Sequence, residues 1–134
     1  MDAFTHAPVR QVLSGAAAKF AYLFGSRASG TAQADSDADV AIMPSGELGL
    51  LERARLESRI AHALGVVDVD LVLLDRATLE LRGHVVQTGR LIYSADEPAR
   101  VAFEVRTRSE YLDFLPALQT LERAYLSRVA RCGL

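Results

Sequence analysis

The chain has 134 residues and a formal net charge of −2, with 50% apolar and 24% charged residues. This length suffices for one domain with a hydrophobic core, and the composition excludes an intrinsically disordered chain. Because Lys19 is the only lysine and the arginines form no basic run, a general electrostatic attraction to nucleic acid is not expected.

The first part of the chain predicts a helix, two strands and the connection between them. Apolar residues recur at helical spacing after Pro8, and proline is tolerated in a first helical turn. Two apolar segments then have the length of strands, and Pro44-Ser45-Gly46 ends the second one. The predicted elements are a helix over 8–18, a strand over 20–24, a short helical turn over 26–30, a polar loop over 31–36 and a strand over 37–43.

The second part alternates helix and strand and ends in helix. An amphipathic helix is predicted before Gly65, which stands where a C-capping glycine belongs. Asp75 is a candidate N-cap for the next helix, and Pro116 predicts a kink or break in the last helical segment. The predicted elements are a helix over 48–64, a strand over 66–74, a helix over 77–87, a strand over 91–93 and helices over about 96–131.

This alternation predicts a fold of the α/β (α+β) class. About four strands form a small mixed sheet flanked by helices. We predict a single domain over 1–134, with a core over about 8–94 and a C-terminal helical extension over about 96–132. No apolar stretch is long enough for a membrane span and no signal-peptide pattern is present, so a cytoplasmic location is expected.

Two aspartates open the second predicted strand. Asp37 and Asp39 follow Gly25-Ser26 after a spacer of ten residues. Side chains alternate along a strand, so both carboxylates face the same side. Two anions at this separation raise each other's pKa unless a cation joins them, which predicts a Mg²⁺ site.

The turn at Gly25-Ser26 is predicted to bind an anion opposite these carboxylates. Glycine lets backbone N–H groups approach a ligand closely, and the serine hydroxyl is a further donor. A helix that starts at this point would direct its positive dipole end toward the anion. Metal-binding carboxylates facing such a turn suggest nucleoside triphosphate chemistry.

Asp70 is the candidate for a third acid in this site. It stands in the third predicted strand among apolar residues, where an isolated carboxylate would cost several kcal/mol unless paired or metal-bound. We expect Asp70 to join Asp37 and Asp39 around one or two Mg²⁺ ions and also consider it for accepting a proton. Asp68 would share its face under strict alternation and is not excluded.

Three segments, GSRASGTA at 25–32, SDADV at 36–40 and VDLV at 69–72, strongly resemble the minimal nucleotidyltransferases of the DNA polymerase β-like superfamily. Residues 84–93 are similar to that family's helix-to-strand ending, and 100–113 resemble the C-terminal helix of MntA-type antitoxins. The resemblance implies that Gly25 and Ser26 bind the triphosphate and that Asp37, Asp39 and Asp70 bind two Mg²⁺ ions. Many members carry a second arginine where this chain has Ser29, which leaves Arg27 to contact phosphate or to pair with Asp35.

The resemblance also implies a partner and a reaction. MntA-type proteins pair with a HEPN-domain RNase toxin and silence it by transferring AMP from ATP to a toxin tyrosine. Two alternatives stay open, namely an antitoxin that acts by binding alone and a nucleotidyltransferase that modifies a small-molecule hydroxyl.

The remaining candidate residues are expected to have no catalytic role. His6, His62 and His84 lack metal-ligand spacing and are predicted to be surface or helix-face residues. Cys132 is the only cysteine, so no internal disulfide can form and the thiol is expected to be structural or incidental.

Overall fold

A computed structural model describes residues 7–25 and 37–132, which form four strands and four helices. The predicted helical turn over 26–30 and the loop over 31–36 lie outside these residues. The elements in chain order are α1 Ala7–Ser14, β1 Ala18–Phe24, β2 Ala38–Pro44, α2 Leu50–Leu64, β3 Val69–Leu73, α3 Leu79–Thr88, β4 Arg90–Ser94 and α4 Glu97–Cys132.

The four strands form one mixed sheet in the order β3-β2-β1-β4. Strand β1 is antiparallel to both β2 and β4, whereas β2 and β3 are parallel. This confirms the predicted fold class and the strand number.

Each face of the sheet packs against a separate pair of helices. On one face, α1 and α2 bury an aliphatic core that includes Leu13, Val40 and Ile60. On the other face, α3 and α4 cover an aromatic core that includes Phe20 and Val85, with Phe103 packed against it. Alternating side chains of the strands therefore serve two different cores.

Two helix ends test the predicted boundaries. Gly65 ends α2 in the left-handed conformation with φ 73°, as predicted. The expected N-cap at Asp75 is wrong, because α3 begins at Leu79 and the Thr78 side chain accepts a hydrogen bond from the Leu81 N–H. Serine, threonine and aspartate cap helices about equally well, so sequence alone did not distinguish these positions.

Of the kink or break predicted at Pro116, the break does not occur, because α4 is one continuous helix of 36 residues with Pro116 inside it. Proline in a helix interior removes one backbone hydrogen bond and its ring clashes with the carbonyl four residues earlier, yet the hydrogen bonds on either side can continue. At the start of the helix, the Asp96 carboxylate accepts a hydrogen bond of 3.0 Å from the Ala99 N–H.

The first part of α4 is tied to the sheet by a polar contact. The Tyr22 hydroxyl on β1 donates a 2.5 Å hydrogen bond to Glu104, which also pairs with Arg100 at 2.8 Å. Burial raises the pKa of Tyr22 above its usual range, and the hydrogen bond to Glu104 raises it further. Tyr22 therefore stays protonated and donates to the carboxylate.

Strand β3 lies at an edge of the sheet, and side chains of α2 bind its outer backbone groups. The Leu71 N–H donates to Glu57 over 3.3 Å, and Arg53 donates to the Leu71 carbonyl. Arg53 and Glu57 are one helical turn apart with a separation of 3.9 Å. None of the helices in the described ranges has the length and apolarity that crossing a membrane requires.

Candidate active site

The parallel pairing of β2 and β3 brings two of the predicted acids together. Asp39 is the register partner of Asp70. Their chain neighbours Val40 and Leu71 are fully buried in the aliphatic core. Because side chains alternate, both carboxylates lie on the opposite face of the sheet, the one that α3 and α4 partly cover.

The pKa of Asp39 reflects the closeness of these carboxylates. Burial raises the pKa of the Asp39 carboxyl above its usual value, and the charges of Asp70 and Asp37 raise it further. Asp37 is exposed and directly precedes β2. The charges of Asp37 and Asp70 thus both act on the partly buried Asp39.

Gly25 lies next to the Asp39 carboxylate, on the side of β1. Phe24 at the end of β1 is the register partner of Asp39, and Gly25 follows it with φ 76°. A Cβ atom on Gly25 would lie 2.5 Å from Asp39 Oδ2. The left-handed conformation favours glycine, and an added Cβ would force the Asp39 carboxylate to shift. The other predicted phosphate-binding residues, Ser26 and Arg27, lie outside the described residues.

Asp70 and Asp68 differ in position. Asp68 lies before β3, and its carbonyl accepts a backbone hydrogen bond of 3.1 Å from Ala38. Its charge is not among those that raise the pKa of Asp39, whereas that of Asp70 is. The expectation that Asp70 is buried is wrong, because its side chain is exposed between buried Val69 and Leu71. At the start of an edge strand, only the face toward the aliphatic core is covered.

The donor set fits a hard divalent cation. Within residues 7–25 and 37–132, no three His, Cys, Asp or Glu side chains form a preassembled metal cluster. Mg²⁺ does not need one, because it typically takes one or two carboxylates and completes its shell with water and substrate phosphates. Asp39 and Asp70 offer two such carboxylates, and a cation between them would offset their repulsion.

His84 lies closer to this site than its sequence position indicated. It is exposed on α3, as predicted, and its ring meets Phe24 edge-on with centroids 6.4 Å apart. Phe24 is the register partner of Asp39, so His84 lies at the rim of the site. No spacing motif marks it, because its position depends on how α3 packs over β1. His62 is exposed on α2, and His6 lies outside the described residues.

Comparison with known proteins places this geometry in a family. Residues 9–98 match the family described as Polymerase beta, Nucleotidyltransferase. Protein adenylyltransferase MntA of Shewanella oneidensis is 37% identical over 90 residues, which are 67% of this chain but only 63% of the relative. The chain thus aligns with less than two thirds of that relative's length.

Solved structures extend the similarity along nearly the whole chain. A crystal structure of a toxin–antitoxin with AMP-PNP has a chain with 30% identity and a TM-score of 0.71, covering 94% of this chain and 98% of its own. A second structure, of a tri-AMPylated Shewanella oneidensis HEPN toxin in complex with MNT antitoxin, has a chain with 28% identity and a TM-score of 0.66. The match covers 93% of this chain and 95% of that chain. The chain belongs to the polymerase β nucleotidyltransferase family.

Proposed function

We propose that this chain is a Mg²⁺-dependent protein adenylyltransferase and the antitoxin of a two-component system. It transfers AMP from ATP to a tyrosine hydroxyl of a HEPN-domain RNase toxin and thereby silences it. The observation that carries this proposal is the Asp39–Asp70 pair beside Gly25. The similarity to a toxin–antitoxin with AMP-PNP and to an antitoxin bound to an AMPylated HEPN toxin supports the donor and the acceptor.

The residues divide into two groups by role. Asp37, Asp39 and Asp70 would hold the metal, with two ions in the proposed site. Gly25, Ser26 and Arg27 bind the triphosphate, and the left-handed Gly25 lets the backbone approach it. Bound Mg²⁺ neutralises phosphate charge and lowers the pKa of the attacking hydroxyl.

The reaction is a single displacement at the α-phosphorus of ATP. The toxin's tyrosine oxygen forms a bond to this phosphorus, and the bond to the bridging oxygen of pyrophosphate breaks. Asp70, which is exposed beside Asp39, accepts the tyrosine proton. This chain orients the nucleotide, and the docked partner supplies the hydroxyl in line with it.

The far part of α4 supplies a surface for the partner. Several large apolar side chains there are exposed, among them Leu121 at 67% and Tyr125 at 64%. An exposed apolar stripe of this kind is typical of an interaction surface. The same surface favours the second candidate function, an antitoxin that neutralises its toxin by binding alone.

The experiment combines the purified protein with Mg²⁺, α-labelled ATP and the product of the adjacent gene as the proposed toxin, and intact mass is measured. We expect the toxin to gain AMP units on tyrosine and to lose RNase activity. Asp39→Asn is the matched variant, because it keeps the side-chain volume while it removes the charge. It should form the complex but transfer no AMP.

Each result decides between the candidates. If Asp39→Asn silenced the toxin as well as the wild type does, and the toxin gained no mass, neutralisation by binding would be established. A stable complex with no transfer by the wild type would contradict the adenylyltransferase proposal. Transfer that needs no toxin and modifies an added small-molecule hydroxyl would identify the third candidate.

A further inference from the structure

A concave site lies on the same face of the sheet as the aspartates but at the other end. This cleft of about 530 Å³ is formed by the start of β1, the end of β2, the loop after β3, and helices α3 and α4. Met43 in its wall is four residues beyond Asp39 on β2, which is about 13 Å along a strand. The cleft is therefore separate from the aspartate site.

The charges that line this cleft are mostly positive. Lys19, Arg82 and Arg106 contribute to the lining, against one carboxylate, Asp75. In the part of the chain that the structure describes, Lys19 and Arg106 make no ion pair. A protein with a net charge of −2 thus gathers a local excess of positive charge in a concave site.

Arg82 is held in place within this group. Its Nε donates a 3.2 Å hydrogen bond to the Ala77 carbonyl, and its Nη1 lies 3.6 Å from Glu110 Oε1. The ion pair with Glu110 offsets part of the Arg82 charge. It also fixes the guanidinium, whose planar fork suits phosphate or carboxylate oxygens.

The rest of the lining is apolar and partly aromatic. Phe20 and Leu74 form a buried floor, while Phe103 and Met43 are only partly buried. The rings of Phe20 and Phe103 lie 5.3 Å apart. A flat ring can pack on such a surface, and a volume of this size suits a small molecule.

We propose that this cleft binds a small organic anion that joins an aromatic ring to a phosphate or carboxylate group, with the size of a mononucleotide. The anionic group meets Lys19 and Arg106, and the ring packs on Phe103 and Met43. This binding needs no metal and does not depend on the adenylyltransferase function.

The single lysine makes the test direct. Full-length protein labelled with ¹⁵N only in lysine gives one backbone amide signal, that of Lys19. AMP and phenyl phosphate are titrated in EDTA, so that no divalent cation can bring phosphate to the aspartates. We expect both to shift the Lys19 signal in a saturable way. In uniformly labelled protein, the Gly25 and Asp39 amides should change little.

Matched substitutions distinguish specific binding in the cleft from a general electrostatic attraction between AMP and the protein surface. Arg106→Gln should weaken AMP binding about 10-fold, since it removes a charge-assisted contact. Arg55→Gln removes the same charge from an exposed position on α2, on the other face of the sheet, and should leave affinity unchanged. Both positions are exposed, so both variants should fold.

Three results would overturn the proposal. The first is a Lys19 signal that does not move with either compound at millimolar concentration. The second is an equal loss of affinity in Arg106→Gln and Arg55→Gln. The third is a Lys19 signal that shifts only on addition of the toxin, which would make the cleft part of a protein interface.

Discussion

Asp39 carries a repulsion that the metal-free protein does not relieve. Its folded-state pKa is raised above the ordinary value of 3.8, so folding favours the protonated carboxyl. The stability associated with this proton is present at low pH and is lost as the pH rises through the folded-state pKa. At neutral pH, the charged Asp39 therefore costs free energy of folding.

Asp39→Asn should consequently stabilise the metal-free protein at pH 7, by up to about 1 kcal/mol for this partly exposed group. The gain should vanish below the ordinary pKa of 3.8, where the wild-type carboxyl is itself neutral. Urea unfolding in EDTA at pH 7 and at pH 3 measures both values. A variant less stable than the wild type at pH 7 would show that Asp39 makes favourable contacts outweighing its repulsion.

Asp68 and Asp70 offer a matched pair for the proposed chemistry. Asp70→Asn should reduce the rate of AMP transfer about 100-fold or more, because it removes both a metal ligand and the proton acceptor. Asp68→Asn, two residues away and outside β3, should stay within about 3-fold of the wild type, as exposed substitutions usually do. Initial rates of transfer to the toxin measure both. Equal losses would show that the acid before the strand also participates.

The sequence predicts that Asp70 joins Asp37 and Asp39 if strands β2 and β3 are neighbours, but it predicts neither their register nor the exposure of Asp70. Strand alternation and two adjacent parallel strands are enough to bring the carboxylates together. Exposure depends on which side of β3 the helices cover, and this is set by the tertiary packing. The approach of His84 to Phe24 could not be predicted for the same reason.

At the scale of elements, α3 and α4 approach each other closely at Gly83. A Cβ atom on Gly83 would overlap the Tyr111 ring of α4. Alanine is the better helix former, so intrinsic propensity alone would make Gly83→Ala stabilising. The close contact predicts the opposite effect.

We expect Gly83→Ala to destabilise the protein by about 1–3 kcal/mol, the usual cost of overpacking. Urea unfolding gives the value. Gly46→Ala, where an added Cβ meets nothing within 4 Å, is the control and should be close to neutral. Combining Gly83→Ala with Tyr111→Ala should remove most of the penalty that Gly83→Ala adds. If Gly83→Ala destabilised the Tyr111→Ala protein as much as the wild type, the cause would lie outside the contact between Gly83 and Tyr111.

The elements themselves follow from the sequence better than their ends do. Apolar periodicity locates all the described helices and strands, and Gly65 marks a helix end through its conformation. Thr78 and Asp75 are both residues that cap helices, and Pro116 disfavours an interior helical position without preventing it. At the start of α3 packing decides, because the capping preferences of the two residues differ by less than a tertiary contact contributes.

At the scale of the whole molecule, the long helix α4 divides into an anchored and a free part. Its first part contains the buried Thr107 and packs Phe103 against the aromatic core. From Pro116 to Arg131, no residue is classed as buried. The far part of the helix thus contributes little to the core, and we propose that its role is to bind the partner.

Truncation after Leu115 tests this division. We expect the thermal midpoint to change by less than about 4 °C, since exposed helical residues bury little surface. Affinity for the toxin should fall strongly, as measured by calorimetry with the full-length chain as control. A truncated protein that is unfolded, or that binds the toxin as well as the full chain, would contradict this division.

The side chains that occupy the edge of β3 have a consequence for assembly. Arg53 and Glu57 already bind the outward backbone groups of Leu71, so an incoming strand would have to displace both of them. Strand addition is the usual route by which one copy of a sheet protein recruits the next without limit. With these contacts in place, open-ended strand addition at β3 is disfavoured, and this edge does not offer a second copy of the chain a place to pair.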